Sequence, residues 1–517
     1  MIDIVSGTTL ENGGWSKGDW SANKASLQVD GTLDLWDGNT VYVDALTGSG
    51  TVTHTNYGND GNLTVGVNNG SGTFSGTITE TSGHQTSLTK EGSGTQTLSG
   101  NNTYSGATTV NTGTLILQDT KTASSHFVTN ANLEFNVTSG QQQLSGGTIS
   151  GTGNFIKVGS GQLWLGANSS PQTIALTGAT SLIDVQGGLL RNEYGNSSWG
   201  SNLAALNVAS GAVFDTWDGN TTVDYLSGSG IINKGWSNNN TLTIGVNNGS
   251  GTFSGTIYNN NTSLGYGGGS GGNLSLVKDG TGTQTLSGVN TYAGGTTING
   301  GTLLVNGSTA SGSAVTVGGS TASGTPTLGG SGTINGATTI SAASGGAAGI
   351  HTPGGVGTVG TQTFTSTLNY GSGSIFEWDL QAASTSDPGI VSNASTGTYD
   401  KVVANGSAGS VTGGAAVFKI VLGGNAFTDA FWNTNKSWSD IFTGTGTPTN
   451  LASVFSTFSG TNVNSDGTVT GQGYFTFNGS STLTWTAVPE PTGALAGILL
   501  GTGLLRRQRK PVGTSGR

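Results

Sequence analysis

Through most of the chain, short runs of Val, Ile or Leu alternate with Thr, Asn or Ser and stop at a Gly or Asn. The stretch Thr108-Thr109-Val110-Asn111-Thr112-Gly113-Thr114-Leu115-Ile116-Leu117 is representative. Alternation of period two sends successive side chains to opposite faces of an extended strand, and Asn-Gly, Asp-Gly and Ser-Gly pairs make the turns. No stretch of the body keeps a long 3.6-residue apolar period, so helices are not expected there. Strands recur about every 8 to 12 residues, a spacing that suits a sandwich, a barrel or a β-solenoid.

Self-similarity decides among the three. Trp36-Asp37-Gly38-Asn39-Thr40 returns 181 residues later as Trp217-Asp218-Gly219-Asn220-Thr221. LTVGVNNGSGTFSGTI, from Leu63 to Ile78, returns from Leu242 to Ile257 at an offset of 179. KEGSGTQTLSGNNTYSGATTVNTGTLIL, from Lys90 to Leu117, returns from Lys278 to Val305 at an offset of 188. Offsets that differ by a few residues are those of a duplicated unit with loop insertions. Near-identical blocks are expected of stacked coils and have no rationale in a closed barrel. The expected division is a first solenoid unit over 1–181, a second over 182–350, a C-terminal β domain over 351–487 and a terminal signal over 488–510.

The blocks Lys90–Leu117 and Lys278–Val305 resemble the autotransporter-associated β-strand repeat, and Phe155–Gly166 keeps the opening half of the same pattern. The resemblance implies an all-β, right-handed parallel β-helix on an exported passenger, with Leu98, Tyr104, Val110, Leu115 and Leu117 inward and glycines at the corners. At about 20 to 25 residues per coil and about 4.8 Å per strand, such a solenoid has on the order of 16 coils and is about 80 Å long.

From His351 the Lys-x-Gly blocks stop. In Ser374-Ile375-Phe376-Glu377-Trp378-Asp379-Leu380 the period of two places Phe376, Trp378 and Leu380 inward and Glu377 and Asp379 outward, in solvent. Antiparallel strands capping the open end of the solenoid are expected here, with a short helix in the aromatic-rich 425–442.

The final residues change the functional picture most. Val488, Pro489, Glu490 and Pro491 precede an apolar run from Thr492 through Gly493, Gly497 and Gly501 to Leu505, followed by Arg506, Arg507, Arg509 and Lys510. This order resembles the PEP-CTERM sorting signal, which implies an exosortase-type processing enzyme in the inner membrane as partner, delivery to the cell surface or extracellular matrix, and association with exopolysaccharide. A helix of the apolar run spans about 21 Å of a ~30 Å hydrocarbon layer, a poor permanent anchor, and the basic cluster stays cytoplasmic by the positive-inside rule. Glycines four apart offer a face for packing on another membrane helix. At the other end, Met1 to Leu10 has neither a basic nor an apolar signal-peptide region, and Ile2-Asp3-Ile4 aligns with Ile183-Asp184-Val185, so the sequence is expected to open inside a repeat of a longer exported protein.

Composition sets limits. The 517 residues include 94 Gly, 8 Pro and no Cys, which excludes collagen, disulfides and thiolate metal sites. Five of the 16 bases lie in the last twelve positions, leaving 11 against 26 acids and a net −15 upstream. Such a body repels nucleic acid. Glu377 and Asp379 have the spacing of paired glycosidase carboxyls, but with no base nearby they are expected to be solvated rather than catalytic. His54, His84, His126 and His351 are scattered and expected in loops. Asp37 and Asp218 are expected to form turns rather than bind calcium. Trp15, Trp36 and Trp217 are either core residues or sugar-stacking platforms, and the 266–272 YGGGSGG run is a loop insertion. No metal or cofactor is expected. The expectation is thus a non-enzymatic structural or adhesive surface protein. The alternatives are a β-helix carbohydrate-active enzyme, or an ice-binding protein, for which Thr95, Thr97, Thr283 and Thr285 are too few to form a flat ladder.

Overall fold

The computed structural model describes residues 1–488 except 14–17, 37–39, 56–58, 82, 121–125, 168–169, 194–198, 260–270, 320–321, 323, 342–346, 382–398, 406–410, 424–426, 428–429, 449 and 480. The chain winds in coils of up to three short strands. One coil runs through Asn132–Asn136, Gln141–Leu144 and Gly147–Gly151, and the next starts at Asn154–Val158 in register directly above the first strand. All pairings between these coils are parallel. A single face of sixteen such strands extends from Gly72–Phe74 to Phe455–Gly460, which at about 4.8 Å per strand is a shaft about 70 Å long.

Alternation along each strand builds the core. On the long face Phe74, Leu98, Leu117, Phe135, Lys157, Val185 and Val208 are successive register partners and all point inward. Leu98, Tyr104, Val110, Leu115 and Leu117 are buried as the alternation predicts. A second face runs as a seven-stranded and an eight-stranded sheet. The third face is broken into sheets of four, six and four strands, and its two gaps fall where the repeat blocks lie: strands end at Thr77–Ile78 and resume at Gln141–Leu144, then end at Thr256–Ile257 and resume at Thr333–Ile334.

The signature residues of the blocks replace the missing strands with side-chain hydrogen bonds. Asn102 Oδ1 accepts from the Ile78 N–H at 2.9 Å, and Asn290 does the same for Ile257 at 3.0 Å. Tyr104 and Tyr292, both fully buried, meet Thr108 Oγ1 and Thr296 Oγ1 at 2.8 and 2.7 Å. Gln96 and Gln284 point inward and each bonds a peptide of an earlier coil twice: their Nε2 donates to Leu46 O and Leu226 O, and their Oε1 accepts from the same residues' N–H. The register partners of the two glutamines are Gly72 and Gly251, whose missing side chains leave the amide room to reach across. Lys90, Lys157 and Lys278 are buried, and each Nζ donates to carbonyls at a corner. Lys157, for example, reaches Val158 O, Gly159 O and Gly187 O at 2.7, 3.0 and 3.1 Å. Burial holds Lys157 and Lys278 down at about 8. Gly92 in the Lys-x-Gly corner has φ +63° and a would-be Cβ 2.0 Å from Gly66 O, so only glycine fits there.

The parallel pairing continues past residue 350, where a different C-terminal arrangement was expected. Ile350–Pro353, Ile375–Leu380, Ala416–Leu422 and Phe455–Gly460 extend the long face coil by coil. Among the described residues, antiparallel strand pairing is confined, apart from isolated bridges such as Leu380 to Tyr399, to one four-stranded sheet of Lys436–Trp438, Thr468–Val469, Gly473–Asn478 and Thr482–Ala487. That sheet packs on the last coils through ring contacts such as Phe418–Phe477 and Phe458–Phe475. The expected helix in 425–442 is a single 3₁₀ turn at Ala430–Asn433. Among the described residues no helix is long and apolar enough to cross a membrane.

Candidate functional site

The third face carries a largely buried cluster of charged and aromatic side chains. Gln143, Trp164, Arg191, Asp215 and Asn233 are register partners on five consecutive coils. Arg191 is the only arginine before residue 506. Its Cζ lies 3.7 Å from the centre of the Trp217 ring and 4.6 Å from that of Trp164, a cation–π arrangement. Trp236 stacks on Trp217 with centroids 5.0 Å apart and planes 24° apart. Asp215 and Glu193 pair with the guanidinium at 3.4 and 3.6 Å. Burial nevertheless pushes Asp215 up to about 6, with Arg191 and the Trp217 and Gly235 N–H groups opposing the rise. Trp236 closes the stack toward solvent, 39% exposed.

A turn present in both copies holds this display. Trp36 and Trp217 have φ +50° and +43°, a left-handed conformation that bulky residues rarely adopt, and each N–H donates at 3.0 Å to the carboxylate two residues earlier, Asp34 or Asp215. The copies then diverge. In the first, Glu11 takes the register place of Arg191, and the Gly13 backbone lies against the Trp36 ring. Among the described residues the stack is therefore seen only in the second copy. Both Trp36 and Trp217 are half-buried, between the two expectations, and Trp15 and Asp37 lie outside the described residues. Asp218 accepts from Asn238 Nδ2 within the turn region. Among the described residues no group of three His, Cys, Asp or Glu is placed to hold a metal.

A cavity of about 600 Å³ opens where the six-stranded third-face sheet begins, lined by residues that include Asp119, Ser139, Gln141, Gln142, Gln143 and Ser145. Its Gln143 is the register neighbour of Trp164, so cavity and stack share one face of the shaft.

The expected solvation of Glu377 and Asp379 is overturned: they are 5% and 2% exposed. The outer face of their strand is covered by the 352–360 turn and by Asp400. Thr352 Oγ1 lies 3.4 Å from Asp379 Oδ2, while Asp400 accepts from the Gly360 and Asp379 N–H groups at 2.8 and 3.0 Å. A base is also present, because parallel register sets Lys419 beside Glu377, Nζ to Oε2 2.6 Å. Burial and neighbouring carboxylates push Asp379 up to about 6 and Asp400 to about 9. Parallel register across 42 residues leaves no local trace in sequence, which is why the pairing was missed. Two of the four histidines depart from the expected loop positions, His351 and His126, while His54 and His84 lie outside the strands as expected. His351 is buried in a strand, with Nδ1 and Nε2 2.6 and 2.9 Å from Tyr370 OH and Gln362 Oε1, and burial lowers it to about 4. His54 is buried edge-on to His84, and His126 begins a strand. The threonine rows through Thr97 and Thr285 are two residues long, ending at Ile116 and Leu304, whereas Thr95 pairs with Thr114, Thr283 stacks with Thr302 and Thr327, and Thr9, Thr32, Thr51 and Thr77 form a row of four on the third face.

Of the terminal signal only Val488 is described. Pro489, Glu490, Pro491, the apolar run and the basic cluster lie outside the described residues.

These coils define an all-β protein of parallel strands in long sheets, a β-solenoid in architecture. Residues 88–117 and 276–305 each match the passenger-associated-transport-repeat family, and these are the coils at which the third face breaks. That repeat family is associated with exported, autotransporter-type surface proteins. No curated protein matches the chain.

Proposed function

We propose that this is an exported structural or adhesive rod of the bacterial surface or extracellular matrix, delivered by an exosortase-type enzyme that reads residues 488–510 and associated with exopolysaccharide or a cell-surface glycan. The observation that carries the reading is that the matched repeats spend their polar signature inside the shaft. The lysine, glutamine, asparagine and tyrosine of each block are buried and bonded to their own chain, so the repeat builds length and presents a surface. The Trp164–Arg191–Trp217–Trp236 stack and the neighbouring cavity supply a contact face for a glycan. A non-catalytic role fits carboxyls whose neighbours are the protein's own N–H, hydroxyl and ammonium groups.

In this reading Pro489 and Pro491 keep the segment around Glu490 extended at the membrane surface, where a processing enzyme can grip the backbone. The basic cluster holds a short helix in place. The test is expression of the full chain behind a functional signal peptide in a host carrying an exosortase, followed by fractionation and C-terminal mass analysis. Wild type is expected to be cleaved and surface-delivered. Glu490→Ala should stay membrane-bound and uncut, and replacement of Arg506, Arg507, Arg509 and Lys510 by Gln should release uncleaved precursor. Identical cleaved products from all three would refute the sorting role.

A further inference from the structure

Residues 280–376 contain no Asp, Glu, Lys or Arg, although the chain's 8% of charged residues would place about eight in a run of 97. His351 is buried in this stretch and lowered to about 4, and burial pushes the Tyr292 and Tyr370 hydroxyls up, so the stretch is neutral at pH 7. The net −15 upstream of residue 506 therefore lies wholly to either side of it. In the fold these residues form a belt of stacked coils with long-face strands at Thr283–Leu286, Thr302–Val305, Thr327–Gly330 and Ile350–Pro353. On the long face the Gly355 backbone lies against the Leu304 side chain, and among the described residues the third face has no strand between Thr256–Ile257 and Thr333–Ile334. The second face stays continuous. Its eight-stranded sheet sends out one row, a residue per strand from Thr222 to Thr412, and Thr297, Thr316, Thr339 and Asn369 are the members inside the belt. Two residues earlier on the same face stand Gly295, Ala314 and Ala337, all exposed. No described strand of this sheet points a charged side chain outward, since Lys278 turns in, whereas the long face shows Glu134 and Asp184.

We propose that this face docks a second copy of the chain, the two eight-stranded sheets packing face to face about a two-fold axis. Charge favours a copy over other occupants. Bodies of net −15 repel one another wherever their charged surfaces meet, and the belt is where two of them touch without apposing like charges. Shape agrees with this. No member of the row is larger than Asn, so two such sheets can approach to the ~10 Å of packed sheets. Both copies carry the same ~4.8 Å period, so the methyls of one row seat between those of the other along its whole length. Antiparallel overlap of the full row puts the axis between its fourth and fifth members, Thr297 and Thr316, inside the belt, and sets Thr297 of one copy opposite Thr316 of the other. Seven strand spacings by a strand length of ~15 Å cover about 500 Å² on each copy, about 1,000 Å² in all. That is the lower bound of a specific interface, so the association is weak and reversible.

The experiment is sedimentation equilibrium of the purified full chain from about 10 μM to about 1 mM, in a nonionic detergent that occupies the apolar run 492–505. The expected result is a monomer–dimer equilibrium that tightens between about 0.02 and 0.5 M salt, as screening relieves the repulsion of the charged flanks. Thr297→Lys/Thr316→Lys lowers the net negative charge, which by itself would favour association, yet it sets like charges across the axis and should weaken the dimer at least tenfold. Thr297→Glu/Thr316→Lys sets opposite charges there and should restore it. Thr285→Lys, outward on the long face of the same belt, should change nothing. Circular dichroism should show every variant folded, since each replaces an outward side chain. A monomer at every concentration and salt overturns the proposal. So does a dimer indifferent to the two-lysine variant, or one weakened equally by Thr285→Lys. A monomeric wild type whose binding to neutral polysaccharide, or whose freezing hysteresis, is lost in the two-lysine variant assigns the face to glycan or ice and overturns the docking of a copy.

Discussion

Lys157 shows what a single polar residue does in this shaft. It sits in an otherwise apolar inward column and ties down three carbonyls at a corner, where a carbonyl turned inward has no strand to meet. Lys157→Met keeps the apolar stem and removes the donor, so the expected cost is about 1–3 kcal/mol, measured by denaturant unfolding. The pH dependence has a definite sign. Burial lowers the folded-state value from 10.5 to about 8, so between those values the unfolded chain binds a proton that the folded chain does not, and stability rises with pH across the window. The stability advantage of wild type over Lys157→Met should therefore widen from pH 8 to pH 10. A gap that narrows would mean that the carbonyls favour the charged form more than burial opposes it.

At the scale of the strand, the sequence is legible where the information is local. Alternation in Thr108–Leu117 predicts both the strands at Thr108–Val110 and Thr114–Gln118 and which of their residues are buried. The block repeats likewise predict equivalent coils, and Tyr104 and Tyr292 occupy matching environments. What alternation cannot reveal is the partner strand. Glu377 and Asp379 alternate as an outward pair should, yet Asp400 and the 352–360 turn cover them and Lys419 joins them from the next coil. The exchange between Gln284 and Leu226 depends on the glycine between them. Gly251→Ala would place a Cβ 2.5 Å from Leu226 O, so it should destabilise by about 1–3 kcal/mol and speed amide exchange at Leu226. Unchanged exchange at Leu226 would show that the glutamine does not need the gap.

Over the whole molecule, the duplication and the parallel register make one structural claim: the two repeat blocks lie on a single shaft, displaced along its axis. Purified full chain is expected to show no turnover on a panel of polysaccharides, in keeping with a shaft; activity lost on Glu377→Gln would contradict that. Geometry tests the claim more directly. Thr97 and Thr285 occupy equivalent outward positions on the long face, eight strand spacings apart, and the chain has no native cysteine to interfere with labelling. Spin labels on a Thr97→Cys/Thr285→Cys variant should give one narrow pulsed-dipolar distance centred near ~38 Å, eight steps of about 4.8 Å. A peak below about 25 Å, or a broad distribution, would mean that the copies pack side by side or move independently, and would contradict the continuous solenoid.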